Sequence, residues 1–566
     1  MDPDVILLAI QFNHRDGATH DAFNIRFNET VAVTPPEWRR KTTFTAQQSP
    51  AAYAIKETCG NTLIIKAQFY GTANSTVLVR AVQARPDARQ TRGCNPIGLL
   101  LPTSSALQRI NVLGEVRERE IRFDANGETD LEDFELQNVL IWTVGVSVST
   151  TEWRWQFRAT GTDRWTDFAI TRHRIYTVLQ IPNCPWQQNP SEEEITQLPW
   201  AEALEYACDW AAGAHDVDEV AMLVTRSVYD LGLSHFHYDG SLSFYSCPNF
   251  NCTQFLDVLK GGLGVARLLN CSDCATVVSS FANLLGCDLR QVQLGPCSFT
   301  TNPIKLISHK QEAPEPFGGH EVAWKGSVTD DGRVFDACLQ LDGDPAPDQP
   351  PFSPLLPTNI PFGSASARDY RFRFSPATFP RANTLTCRKI GISLPNDCGY
   401  DDCKSHLKQR LDFDSWRYSE RVKALSDSGE LLLDHRTLAE PILSQWSLVQ
   451  PVQRPNLVRT LNALYSLWTH ATDSEILLRV DVYELESWQE AQDFALRKLG
   501  ESLHLEIGLL KTPTIGDVSF ADADYTSVLF IKAEFVVLVR SAGRERVSIL
   551  ATAVEAERNL LSLAYL

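Results

Sequence analysis

The spacing of apolar residues changes near residue 190, and this limits the possible folds more than any other feature of the chain. Before it, apolar and β-branched residues alternate or run on in short blocks: VILLAIQF, NTLIIKAQFYG, STVLVRAVQ, NVLIWTVGVSVSTT, EWRWQFRAT and HRIYTVLQI. Turn-forming clusters such as ARPDARQTRGCNP and DANGET separate them. Short strands at this spacing predict an all-β, sandwich-like region over residues 1–190. After it, PSEEEITQLPWAEALEYACDWAAG and HDVDEVAMLVTRSVYDLG repeat apolar residues at the helical period. Segments patterned so differently bury their faces in separate cores. A chain of 566 residues is long enough for several, so the expectation is a multidomain protein.

Residues 191–342 read as an α+β domain. Asp216 and Glu219 are spaced like a capping box at the start of the second helix, and Gly232 is placed to stop it. Tyr238-Asp239-Gly240 reads as a turn. The stretch LLNCSDCATVVSSFANLLGC then predicts a deeply buried helix over 271–285. Cys274, Val278, Phe281 and Leu285 form its stripe, and Ala275, Val277, Ala282 and Leu284 widen it. Asn270 is a good N-cap, Asp273 completes a capping-box pair, and Gly286 is a natural stop. Strand-like segments follow: LRQVQLG, then HEVAWKGSV, the turn TDDG, and RVFDACLQL. Residues 342–385 are dense in proline, which predicts an extended connector or a lid, assigned to 343–400. Residues 401–566 alternate strand and helix patterns and predict a small α+β domain.

The helix frame separates two cysteines that look alike. Cys271 stands at the first helical position, where unpaired amides and the positive end of the helix dipole favour a thiolate. The same amides would hold an oxyanion formed beside it. Cys274 lies one turn further in, on the apolar stripe, as a packing residue; Cys287 reads the same way. A cysteine nucleophile needs a base, and the base needs a group to orient it. His320 opens the strand-like HEVAWKGSV, and Asp336 lies in the segment after the TDDG turn. An ideal hairpin closed by that turn would leave the two on opposite faces, several residues apart along the ladder. Strong twist, a bulge or a wider turn is required to join them.

These residues resemble the core pattern of the transglutaminase-like cysteine-enzyme superfamily, which has a papain-like fold. The superfamily includes transglutaminases, peptide N-glycanases and bacterial cysteine proteases. The resemblance rests on C271-S-D-C274-A275, H320-E-V-A-W324 and V334-F335-D336-A-C338. Their intervals, 49 residues from Cys271 to His320 and 16 from His320 to Asp336, fit the pattern. LLGCDLRQVQLG and FHYDG, at 236–240, also look like the family's flanking segments. The likeness covers about residues 195–342. It implies a catalytic triad of Cys271 as nucleophile, His320 as base and Asp336 as orienter, needing no cofactor. It departs from the family at Asn270, where glycine is usual, at Cys274-Ala275 in place of an aromatic, and at Trp324, two positions late. No residue here is matched to the family's upstream side-chain oxyanion donor.

The implied activity is acyl transfer through a thioester at Cys271, with a protein or peptide substrate. Water as acceptor gives a protease or amidase, which is the expected form. A protein amine as acceptor gives a transglutaminase. The alternative is a binding or assembly protein that retains the scaffold and recognises partners through its β-rich region. Oligomeric state is not legible.

Other motifs lead less far. Cys247–Cys252 and Cys398–Cys403 have four-residue gaps, whereas structural zinc sites use tighter hooks with a matching second pair. Cys271-x-x-Cys274 lacks a thioredoxin-like context. His235 and His237 alternate along a strand. KGGLG lacks the spacing of a phosphate loop. Neither metal nor nucleotide is expected. With a net charge of −18 and a pI near 5.2, the chain is poorly suited to nucleic acid or anionic lipid. No stretch approaches the roughly 20 apolar residues of a membrane helix. The N-terminal apolar run lacks a basic segment and cleavage site. Fourteen cysteines without such a leader point to a reducing, cytoplasmic setting, with export by a dedicated system left open.

Overall fold

The structure, a computed structural model, describes residues 5–14, 22–27, 31–40, 50–84, 110–182, 198–240, 243–246, 250–262, 264–294, 299–317, 319–363, 365–375, 386–388, 408–417, 443, 445–453, 462–473, 476–501, 507–543 and 546–562. It divides into two compact units. One comprises residues 1–186, 191–224 and 281–288, and the other 187–190, 225–280 and 289–566. No helix among the described residues is long and apolar enough to cross a membrane.

The first unit is built on one nine-stranded sheet. Its strands are β1 (Ile6–Gln11), β2 (Trp38–Arg39), β3 (Ala51–Ala54), β4 (Ile64–Tyr70), β5 (Thr76–Gln83), β6 (Glu115–Arg122), β7 (Glu132–Gln137), β8 (Ser147–Ala159) and β9 (Thr166–Val178). They lie in the order β2-β1-β4-β7-β6-β5-β8-β9-β3, with only β3 and β9 parallel. Where the sequence predicts a sandwich-like region, the structure has a single sheet that curls over itself. Phe69 on β4 and Trp155 on β8 are four strands apart in this order, which in a flat sheet would separate them by roughly 19 Å. Their ring centroids are 5.8 Å apart. One apolar core, with Phe12, Phe69, Phe134, Trp153 and Trp155 at its centre, fills the fold between the two halves. NVLIWTVGVSVSTT is not one strand: Ile141–Val144 makes a helical turn, Gly145 takes φ +76°, and β8 begins at Ser147.

Helix Ala201–Trp210 lies over β8 and β9 in this unit. Glu205 accepts from Arg174 and, at 3.2 Å, from the Tyr176 hydroxyl. At the start of helix Val217–Asp230, Asp216 accepts from the Asp218 and Glu219 amides, both at 2.9 Å. Glu219 reaches back to the His215 amide rather than to that of Asp216, a capping box displaced by one residue.

Among its described residues the second unit holds four sheets. β10 (His237–Tyr238) and β11 (Leu268–Leu269) form a short parallel pair. Next come β12 (Leu289–Leu294), β13 (Phe299–Leu306), β14 (Ala313–Phe317), β15 (His320–Lys325), β16 (Arg333–Phe335), β17 (Leu339–Asp342), β18 (Pro354–Leu355), β19 (Thr358–Pro361) and β20 (Thr386–Arg388). They make an antiparallel sheet β19-β16-β15-β12-β20 and a second, β14-β13-β17-β18. Val292, Val322, Trp324 and Val334 of the first share a core with Ile304, Leu306, Phe317 and Leu341 of the second.

The proline-rich stretch read as connector or lid is, where described, part of this body. Residues 354–355 and 358–361 are edge strands, and Tyr370–Phe374 is a short helix whose Tyr370 and Phe374 enter the shared core. Edge strands tolerate proline because its missing N–H need not face a neighbour, so composition alone misled. Residues 376–385 and 389–400 lie outside the described residues.

The C-terminal region combines one sheet with two helices among its described residues. β21 (Trp446–Gln453), β22 (Asn462–His470), β23 (Leu477–Glu484), β24 (Gly508–Leu509), β25 (Val518–Ala521), β26 (Ser527–Lys532) and β27 (Phe535–Ser541) form an antiparallel sheet ordered β21-β22-β23-β27-β26-β25-β24. Alternation along β26 and β27 feeds two cores. Phe530, Val537 and Val539 join Ala553 of helix Leu550–Ser562, while Leu529, Val536 and Leu538 join Ala491 and Ala495 of helix Trp488–Glu501.

Candidate functional site

Helix Cys271–Leu284 begins and ends as its sequence directs. Asn270 Oδ1 accepts from the Asp273 amide at 3.0 Å, and Asp273 Oδ2 accepts from the Asn270 amide at 3.2 Å. At the far end Gly286, at φ +93°, donates to Asn283 O and the Cys287 amide donates to Ala282 O, a Schellman closure. β11 leads the chain into the helix and is held by β10: Tyr238 pairs with Leu269, and the Asp239 amide donates to Leu269 O at 2.9 Å.

Asp273 does more than cap. Its buried carboxylate also accepts from the amides of Phe244 (3.0 Å), Tyr245 (2.8 Å) and Ser246 (2.9 Å). Burial raises its pKa above the usual 3.8, although the amides pull the other way. The pinned loop is held in turn by the C-terminal sheet. Arg479 donates to Phe244 O at 3.2 Å, and the Arg540 guanidinium lies 4.3 Å from the centre of the Phe244 ring. Asp481 binds both arginines, at 2.8 Å and 3.0 Å.

The two cysteines of this helix differ as the helix phase requires. Cys271 is half-buried and Cys274 is buried. Cys338 comes against Cys274 from the turn after β16. Contact with Cys338 lowers the Cys274 thiol, but burial and the nearby carboxylates leave it raised; burial and Cys274 together push Cys338 well up. Both are therefore held as neutral thiols beneath Cys271.

His320 and Asp336 are brought together by a wider turn than TDDG alone. The last pair of the hairpin is Lys325 with Arg333, so residues 326–332 form the loop. In that register Asp336 falls opposite Val322, on the face that carries His320 and one diagonal step away. A bulge against β19, where Phe335 faces Thr358 and Val334 faces Ile360, follows at once. The backbone of Asp336 is tied to Pro357 O at 2.8 Å. His320 Nε2 lies 2.8 Å from Asp336 Oδ2, and both residues are buried.

The rest of the carboxylate is fully engaged. Asp336 Oδ1 accepts from the Cys338 amide at 2.8 Å, and Oδ2 accepts from the Tyr370 hydroxyl at 2.8 Å. The imidazole stands between Phe317 and Phe374, with ring centroids at 5.1 and 5.0 Å. Burial by itself would lower the His320 pKa. The charge and hydrogen bond of Asp336 overcome it, Cys271 is close enough to add to the rise, and the value reaches about 10. The other ring nitrogen, Nδ1, is not taken by Asp336; among the described residues it makes no hydrogen bond of ordinary geometry, and Cys271 is close enough to interact with the ring.

Tyr370 is the residue that sequence reasoning missed, because it lies in the stretch read as connector. The available signal was RDYRFRF: large aromatics at positions 370 and 374, one helical turn apart, are out of place in an extended linker. Among the described residues no group of three or more His, Cys, Asp or Glu could hold a metal ion. Of the cysteine pairs weighed for zinc, Cys247, Cys398 and Cys403 lie outside the described residues.

No family model matches the chain, and no curated protein matches it. Among solved structures it is similar to red sea bream transglutaminase, at 8% sequence identity over 86% of this chain and 91% of that one, with a TM-score of 0.29. Such a score does not establish a common fold, so the chemistry below is taken from this chain's own residues.

Proposed function

We propose that this protein is a cysteine-dependent acyl-transfer enzyme that forms a thioester at Cys271, with His320 as base and Asp336 as its orienter. The observation that carries the reading is the buried His320–Asp336 pair at 2.8 Å, which occupies Nε2 and leaves Nδ1 as the ring nitrogen free of Asp336 on an imidazole close to Cys271. Asp336 stabilises the protonated ring, and a protonated ring stabilises a thiolate beside it.

The thiolate would attack an amide carbonyl carbon, forming the S–C bond. The oxyanion would lie against the first-turn amides of the helix. Collapse breaks the C–N bond, and His320 gives its proton to the leaving amine. In the second half a water gives a proton to His320 and attacks the thioester. The S–C bond breaks, the acid leaves, and the thiolate–imidazolium pair returns. Cys271 is half-buried rather than sealed, which gives water access, so a protease or amidase on protein or peptide amides is the reading we adopt. Transfer from a glutamine side chain to a protein amine follows the same steps with an amine in place of water.

The test is competitive labelling of the intact protein with iodoacetamide at pH 7, read residue by residue by mass spectrometry. Cys271 should label at least about tenfold faster than the other cysteines, and His320→Ala should remove that advantage. Equal rates, or an advantage that survives His320→Ala, would overturn the assignment. Cys271→Ala should abolish release of fragments from a peptide library.

A further inference from the structure

We propose that Tyr370 is a positioning residue that tempers the base: its hydroxyl shares Asp336 Oδ2 with His320 Nε2 and so limits how firmly the carboxylate holds the imidazolium. The inference rests on the acyl-transfer reading above and deepens it. Tyr370 Oη and His320 Nε2 each lie 2.8 Å from the same oxygen, while the second carboxylate oxygen is occupied by the Cys338 amide.

Tyr370 is fully buried, and its ring is stacked with Phe362 and tilted against Phe374. The hydroxyl therefore has a fixed direction, and the tyrosine stays protonated: burial and the Asp336 charge both push its pKa up. A neutral donor on Oδ2 draws negative charge away from the bond to His320. Without it, Oδ2 keeps more of its negative charge for the bond to His320, and the ring proton is held harder. A base gripped too firmly is a poor proton donor to a leaving amine, because proton transfer works best when the group's pKa is near the working pH. Among the described residues, the ionisable groups that bear on this cluster are Asp336 and Tyr370 themselves, Cys271 and Cys274 of the helix, Cys338 after β16, and Tyr238, which interacts with Cys271 and Cys338.

The experiment follows Cys271 alkylation by iodoacetamide in the full chain from pH 4 to 11. The upper inflection reports loss of the His320 proton, since the thiolate left behind reacts at a different rate. Tyr370→Phe keeps the ring and removes only the hydroxyl, and should move this inflection up by roughly half a unit or more. Phe362→Leu, which loosens the packing around Tyr370 but removes no hydrogen bond, should lower thermal stability without that upward shift. An upward shift in Tyr370→Phe alone supports the inference. An unchanged or lowered inflection in Tyr370→Phe, or an equal rise in Phe362→Leu, overturns it while leaving the triad standing. Failure of the unsubstituted protein to show fast, His320-dependent labelling overturns both.

Discussion

His320 and Asp336 meet because the hairpin between them closes on Lys325 and Arg333, not on the ends of TDDG. That seven-residue loop puts both side chains on one face of the ladder, and Nε2 and Oδ2 come to 2.8 Å. A closure one residue tighter would send them to opposite faces.

Asp336→Asn should therefore cost the base its orienter and its stabilising charge. Burial then acts on His320 unopposed, and the upper inflection of Cys271 alkylation should fall from near 10 by about 2 units or more. On the proposed acyl-transfer reading, amide cleavage should drop about 10²–10⁴-fold. The raised value also fixes a sign for stability. The folded protein binds the His320 proton between pH 6.5 and about 10, so the pair's contribution is full below 6.5 and is lost as pH rises through that range. Urea unfolding at pH 6 and pH 10 should show this loss, and Asp336→Asn should shrink it.

Gly332 protects the register. It closes the loop, and a Cβ there would overlap the Trp324 indole, whose Nε1 donates to Ser327 O at 2.9 Å. The indole is buried in the core and cannot swing away. Gly332→Ala should lower stability by about 1–3 kcal/mol and slow Cys271 labelling with it. Gly326→Ala, in the same loop but facing open space, should incur only the strain of its left-handed backbone. Equal labelling in Gly332→Ala and the parent would separate the loop from the site.

Asp273 links the mouth of the Cys271 helix to the loop at 244–246. Asp273→Ala removes the acceptor of four buried amides. The expected loss is about 3 kcal/mol or more, read as a lowered urea midpoint. Asp273→Asn keeps one acceptor oxygen and should fall between the two. Increased proteolytic nicking at residues 243–246 in Asp273→Ala would locate the damage.

Away from the site, His173 gives the first unit a pH dependence of its own. It is fully buried beside Phe12 and Trp153, with neither ring nitrogen hydrogen-bonded among the described residues, and burial lowers its pKa from 6.5 to about 3. The unfolded chain takes up this proton below pH 6.5 and the folded chain does not, so stability falls as pH drops. At pH 5 the loss is about 2 kcal/mol relative to pH 7. His173→Phe should abolish it, because phenylalanine fills the same aromatic site and binds no proton. Urea titrations of the full chain at the two pH values, followed by tryptophan fluorescence, would measure the difference; an unchanged slope with pH would refute it.

What the sequence determined by itself is local. Asn270 with Asp273, and Gly286 sixteen positions after Asn270, bound a helix through hydrogen bonds that span only a few residues, and helix phase then separates Cys271 from Cys274. The strand and helix patterns of 477–562 were legible for the same reason, since each is set by which neighbours along the chain are apolar. Tertiary structure decided the rest. Curling the nine strands into one folded sheet depends on which strands pair, and strand pairing joins residues far apart in sequence. Bringing His320 to Asp336 depends on a loop three residues longer than the turn motif, and an odd shift of register is enough to reverse a face. Tyr370 reaches Asp336 only because edge strands carry the proline-rich segment back across the sheet, a long-range route that composition reads as a linker.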